Sequence, residues 1–240
     1  MSGKLRWIAL ALAGLLGGLP MAAGVPGKTG SGRSGGLALL GIGGQNRTWA
    51  GYGGGALQAD LPVWEHLDIR SGFQGLSPGV MTGLLQVQPV FPFQKGALFA
   101  DVSGYYGGFY NYGIHEWLVA GSLGWRNDHV SIQAGLSVRW ILDGGGSGQV
   151  VEPIDPFYRF AYRLKAEDAP WNLTGGVANY TRYQVQRAMQ PVFFLEGNYR
   201  IGQQLSLMGE VNIVPSGMFH LVASWYGFSA GIGLRYRFAL

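Results

Sequence analysis

The stretch from Phe228 to Leu240 sets the tightest limit on what this chain can fold into. Every second residue forms one row, Phe228, Ala230, Ile232, Leu234, Tyr236, Phe238 and Leu240; the other row is Ser229, Gly231, Gly233, Arg235, Arg237 and Ala239. An extended strand sends successive side chains to opposite sides, so this stretch has one apolar face and one small or cationic face. A soluble sandwich turns such an apolar row inward. A transmembrane barrel turns it out to lipid and keeps the polar row around a lumen. Alternation alone does not separate the two.

Composition favours the barrel. Charged residues are 12% of the 240 residues, against 42 glycines and 13% aromatics. That charge content is about half the usual globular share. A lipid-facing wall excludes charge, and glycine is tolerated in curved, closed sheets. The formal net charge of +4 includes Lys4 and Arg6. Without those two the balance is 15 basic against 13 acidic residues, or +2, and the basic residues do not cluster, so nucleic acid is not an expected partner. The absence of cysteine excludes disulfides and Cys-based metal sites.

Residues 1–23 have the layout of a secretory signal peptide. Lys4 and Arg6 precede the apolar run Trp7–Leu16, Gly17-Gly18-Leu19-Pro20 breaks it, and small residues follow. The run is too short and glycine-rich to span a membrane comfortably. Residues 24–36 lack periodicity and read as a flexible tail. The tail contains Gly27-Lys28-Thr29, which fits a relaxed phosphate-loop pattern. Such a loop works only between a buried strand and a helix, and neither flanks it here.

Residues 37–240 read as strand after strand. In His129–Leu142, for example, Val130, Ile132, Ala134, Leu136, Val138 and Trp140 oppose His129, Ser131, Gln133, Ser137 and Arg139. Leu61-Pro62 reads as a break after Thr48–Asp60, Tyr105–Gly113 as an aromatic loop, and Asp143–Asp155 as the longest loop. Trp171–Arg187 is either one long strand or a hairpin turning near Asn179, and Met218–Trp225 leads towards the terminal strand. The expected fold is an all-β, closed antiparallel transmembrane barrel of about twelve strands, since bacterial single-chain barrels use even numbers. Trp125, Trp140, Tyr158, Trp171, Trp225 and Tyr226 lie near strand ends, where membrane interfaces collect aromatics.

The terminal run Gly231-Ile-Gly233-Leu-Arg-Tyr236-Arg-Phe238 resembles the β-signal that bacterial outer-membrane proteins present to their barrel-assembly machinery. The match lies in Gly233, Tyr236 and Phe238; the departure is Ala239-Leu240 after the aromatic. The resemblance implies an outer-membrane location, with membrane lipid and that machinery as partners. A second resemblance covers residues 84–140. Leu85-Gln-Val-Gln-Pro-Val-Phe-Pro-Phe93, Leu98-Phe-Ala-Asp-Val-Ser-Gly104 and Leu123-Gly-Trp-Arg126 are similar to intimin/invasin-type inverse autotransporter barrels. Those carry a passenger after the barrel, whereas residue 240 falls in the terminal strand. The expectation drawn is therefore a closed anchoring barrel whose loops bind a surface or periplasmic protein.

Candidate chemistry is sparse. His129 and Ser131 share a strand face, as do His220 and Ser224. A His-x-Ser pair resembles part of the dyad of lipid A 3-O-deacylases, but neither an orienting group nor an oxyanion site is legible. The four histidines lack metal spacing, and no cofactor is implied. The expected lumen lining is Arg70, Asp101, Arg139, Arg159, Arg163, Glu196, Arg200, Glu210, Arg235 and Arg237. Rings of charge set ion preference in pores. The leading expectation is porin-like passage of ions or small solutes, ahead of an anchoring barrel and of a membrane-embedded lipid hydrolase.

Overall fold

A computed structural model describes residues 34–45, 51–77, 79–143, 148–165, 169–215 and 227–239. The expected signal segment, nearly all of the tail, and His220, Ser224, Trp225 and Tyr226 lie outside the described residues.

Thirteen strands are found among these residues: β1 (Ser34–Gln45), β2 (Tyr52–Trp64), β3 (Leu67–Ser77), β4 (Val80–Phe93), β5 (Gly96–Phe109), β6 (Ile114–Arg126), β7 (Val130–Asp143), β8 (Gln149–Val151), β9 (Asp155–Arg163), β10 (Trp171–Ala178), β11 (Val192–Arg200), β12 (Leu205–Ile213) and β13 (Phe228–Ala239). All pairings between them are antiparallel, and β13 returns to β1 over the full run from Ser34↔Ala239 to Gln45↔Phe228. The sheet is therefore closed. β8 and β9 both pair with β7, in registers one residue apart, so they act as one interrupted strand. The barrel wall thus has twelve strands, as expected.

Several boundaries differ from the sequence reading. β1 begins at Ser34, three residues early, because pairing with β13 carries its glycines into the sheet. β2 runs through Leu61 and Pro62 to Trp64, absorbing the proline at an irregularity beside β3. Tyr105–Phe109 belongs to β5; only Tyr110–Tyr112 turns, ending on Gly113 in the left-handed region with φ 63°. The 143–155 region is shortened by β8, and a longer connection lies at residues 179–191.

The two faces of the wall settle the choice between sandwich and membrane barrel. On β4, Val80, Thr82, Leu84, Gln86, Gln88 and Val90 are buried, while Leu85, Phe91 and Phe93 are exposed. The same inversion recurs around the barrel: Leu39, Val102, Leu123, Leu136, Ile232 and Leu234 are exposed, whereas Gln58, Gln74, Asp101, Gln133, Arg139 and Glu210 are buried. A soluble domain does not turn its leucines to water and its glutamines inward; a barrel whose outer face meets lipid must turn its leucines out and can hold the glutamines inside. Interfacial aromatics mark both ends. Trp171 pairs with Tyr199 at the end that holds Ser34 and Ala239, and Trp117 pairs with Trp140 at the other. Ser34 and Ala239 share their end with the short turns at 65–66, 94–95 and 127–129, which is the periplasmic end of bacterial barrels.

Candidate functional site: the lumen and its in-folded segment

Residues 179–191 leave β10 and fold into the barrel instead of continuing the wall. Tyr180 and Val185 form an isolated bridge, and Asn179, Tyr180, Thr181, Tyr183, Gln184, Val185 and Gln186 are all buried. A buried loop needs partners for its polar groups. At its base, the Asn179 amide donates to the Pro156 carbonyl (2.8 Å), the Tyr158 hydroxyl to the Ala188 carbonyl (2.9 Å), and the Ala188 N–H to Asp155 (2.7 Å). At its tip, Arg182 Nη1 lies 2.8 Å from Asp60 Oδ1, and Tyr183 hydrogen-bonds with Gln58 and Glu210. The tip reaches the far wall closely enough that a Cβ at Gly72 would collide with the Arg182 carbonyl. Only glycine permits that approach.

The segment also joins two apolar clusters inside the barrel. Tyr183 packs with Leu40, Ala56, Leu76, Val192 and Met208. Tyr180 and Val185 pack with Leu84, Leu118, Phe157 and Phe194, and the Tyr180 and Phe157 rings stack with centroids 4.3 Å apart. Segment 179–191 thus bridges opposite walls and narrows the lumen.

All ten expected lumen residues fall on the buried or half-buried row of their strands, and they separate into groups. Towards the loop end, Arg139 bonds Glu116 (3.0 Å), Glu152 (3.4 Å) and the Val185 carbonyl (2.9 Å), and Glu152 also pairs with Arg187. At mid-height Asp101 accepts from Gln86 (3.0 Å), Gln88 (2.6 Å) and Ser103. Arg159 pairs with Glu196 (3.1 Å) and lies 3.9 Å over the Phe194 ring. Glu210 accepts from Gln58 and Tyr183. Arg70 and Arg235 converge on Asp60. Arg163 and Arg200 occupy the last inward positions of β9 and β11, and Arg237 the last but one of β13, towards the turn end.

Asp60, Arg182, Tyr180 and Tyr183 were not expected as site residues. Asp60 sits just before Leu61-Pro62 and so read as a strand end, although the Asp60/Gln58 row was visible in the alternation. His129 stands in the β6–β7 turn with Nδ1 3.0 Å from the Arg163 carbonyl; among the described residues no hydrogen bond joins it to Ser131. The residues the dyad needs are therefore not brought together there.

Neither a protein-family model nor a curated protein matches the chain. Among solved structures it is similar to an outer-membrane channel from Pseudomonas putida F1, with TM-score 0.53 and 11% identity over 90% of this chain and 100% of that one. It is also similar to the KdgM porin in complex with disordered oligogalacturonate, with TM-score 0.49 and 9% identity over 85% of this chain and 99% of that one. The first likeness shows the fold, that of a bacterial outer-membrane barrel. Function has to be argued from the lumen.

Proposed function

We propose that this barrel lets ions or small solutes pass passively through a lumen lined by arginine and narrowed by residues 179–191. The observation that carries the reading is the inverted wall: charged and amide side chains on the inner row of most strands, beside the two apolar clusters, with leucine and phenylalanine exposed outside. A barrel needs no such interior merely to stand in lipid. Towards the turn end, Asn198 and Ser206 are buried with side-chain atoms that meet no protein partner among the described residues. Buried polar groups of this kind are satisfied by water, which supports an aqueous interior. Gly233, Tyr236 and Phe238 lie in β13, where Tyr236 and Phe238 stack on the lipid side, a disposition suited to recognition by the assembly machinery.

The test is swelling of proteoliposomes that contain the full chain. Small neutral solutes should enter and swell the vesicles, with rates falling steeply as solute size grows. Folded protein that admits no solute would overturn the reading. The two apolar clusters that meet on segment 179–191 favour a second reading, a barrel closed at rest and used as an anchor for partner-binding loops. That reading gives no swelling with the intact chain.

A further inference from the structure

Asp60 offers one carboxylate to several guanidinium groups. Arg182, at the tip of the in-folded segment, places Nη1 2.8 Å from Oδ1; Arg235 reaches from β13 across β1 to Oδ2; Arg70 Nε stands 4.0 Å from Oδ1. The route of Arg235 crosses Gly36, where a Cβ would lie 3.1 Å from its Nε. Nearby, Glu196 is engaged by Arg159 at 3.1 Å. Around this site, among the described residues, four arginines meet three carboxylates, since Glu210 stands opposite Glu196 and accepts from Tyr183 beside Arg182. Arg182 and Arg235 divide the two oxygens of Asp60 between them, although a guanidinium fork is shaped to take both oxygens of a carboxylate. The cluster is not sealed: side-chain exposure is 38% for Arg70, 24% for Arg182, 22% for Asp60 and 17% for Arg235.

A site of this kind has excess positive charge, unused fork geometry and an opening to the lumen. We propose that it is a binding subsite for carboxylate-bearing solutes, in which Asp60 is a built-in competitor for the same guanidinium groups. An entering carboxylate takes Arg182 or Arg235 in a two-oxygen grip, and Asp60 gives way. Because Arg182 belongs to the in-folded segment, occupancy also exchanges the tether between that segment and β2 for a contact with the solute. The inference rests on the porin reading for delivery of solute to the site and names the class of solute the lumen favours.

The test is calorimetric titration of succinate into the full chain folded in detergent micelles at low salt, with folding checked by heat-shifted gel mobility. Saturable binding is expected. Arg182→Gln and Arg235→Gln should each weaken it at least about tenfold, the scale of a lost charge-assisted hydrogen bond. Arg182→Lys, which keeps the charge and loses the fork, should fall between. Asp60→Asn should tighten binding, because the competitor is gone. If the cluster served structure alone, Asp60→Asn would weaken binding or leave it unchanged, and either result would overturn the proposal. Equal binding of uncharged succinamide would overturn it too. Saturable binding by a barrel that passes no solute would sink the porin reading and leave the subsite standing; solute passage without binding would do the reverse.

Discussion

Arg139 is held from three directions: by Glu116 on β6, by Glu152 between β8 and β9, and by the Val185 carbonyl of the in-folded segment. Its side chain is only 10% exposed. Replacing it with Gln leaves the buried Glu116 carboxylate without its paired cation and Glu152 with Arg187 alone. Stability should fall by about 3–5 kcal/mol, the usual cost of breaking a buried pair from one side. Chemical unfolding of the micelle-bound barrel checks this; an unchanged midpoint would mean that the pair is solvated. On the opposite face, Leu85 lies mid-strand in β4 and is half exposed to lipid. Leu85→Arg should cost about 2–4 kcal/mol in a bilayer, since a cation near the midplane lacks any partner. At this scale the sequence was highly legible. Alternation assigned Arg139, Arg159 and Arg235 to the inner row, because a period of two needs only local geometry. It did not assign their partners. Arg235 finds Asp60, 175 positions away in sequence, through the closure of the barrel at β1 and β13.

Segment 179–191 is the element on which the proposed passage turns, and it was the least legible. Residues 171–187 keep alternating past the end of β10, because Tyr180 and Val185 form a small bridge of their own inside the lumen. A strand in the wall and a short hairpin packed within it share one periodicity, so pattern alone left open whether the chain ran on as one strand or turned near Asn179. Two changes probe the element. Gly72→Val puts a side chain where the Arg182 carbonyl now sits and should push the tip of the segment off the β3 wall. Replacing residues 181–184 by Gly-Gly removes Arg182 and Tyr183, the two residues that bind the far wall at Asp60, Gln58 and Glu210. Both variants should conduct more than the parent, the second by at least about twofold, since conductance follows the narrowest point of a pore. Equal conductance in all three would show that the segment does not set the constriction.

For the molecule as a whole, three features agree: an apolar exterior, aromatics at both ends and a charged interior. Twelve strands set a barrel between small filled ones and wide porins, so a single in-folded segment is enough to govern passage. On the inner rows towards the turn end, among the described residues, arginines outnumber carboxylates: Arg70, Arg126, Arg159, Arg163, Arg200, Arg235 and Arg237, with Arg182 of the in-folded segment, stand against Asp60, Asp68, Glu196 and Glu210. Low charge and export pattern pointed to a membrane barrel from the sequence, and the inward row gave the sign of the lining. The degree of filling was not legible, because it depends on how 179–191 packs across the lumen against strands distant in sequence. The most direct measurement is the reversal potential of the full chain in a planar bilayer under a potassium chloride gradient. Discrete current steps with a chloride preference, weakening as salt rises and screens the arginines, are expected. A folded barrel that stays electrically silent, or one that prefers potassium, would contradict an arginine-lined path for solutes.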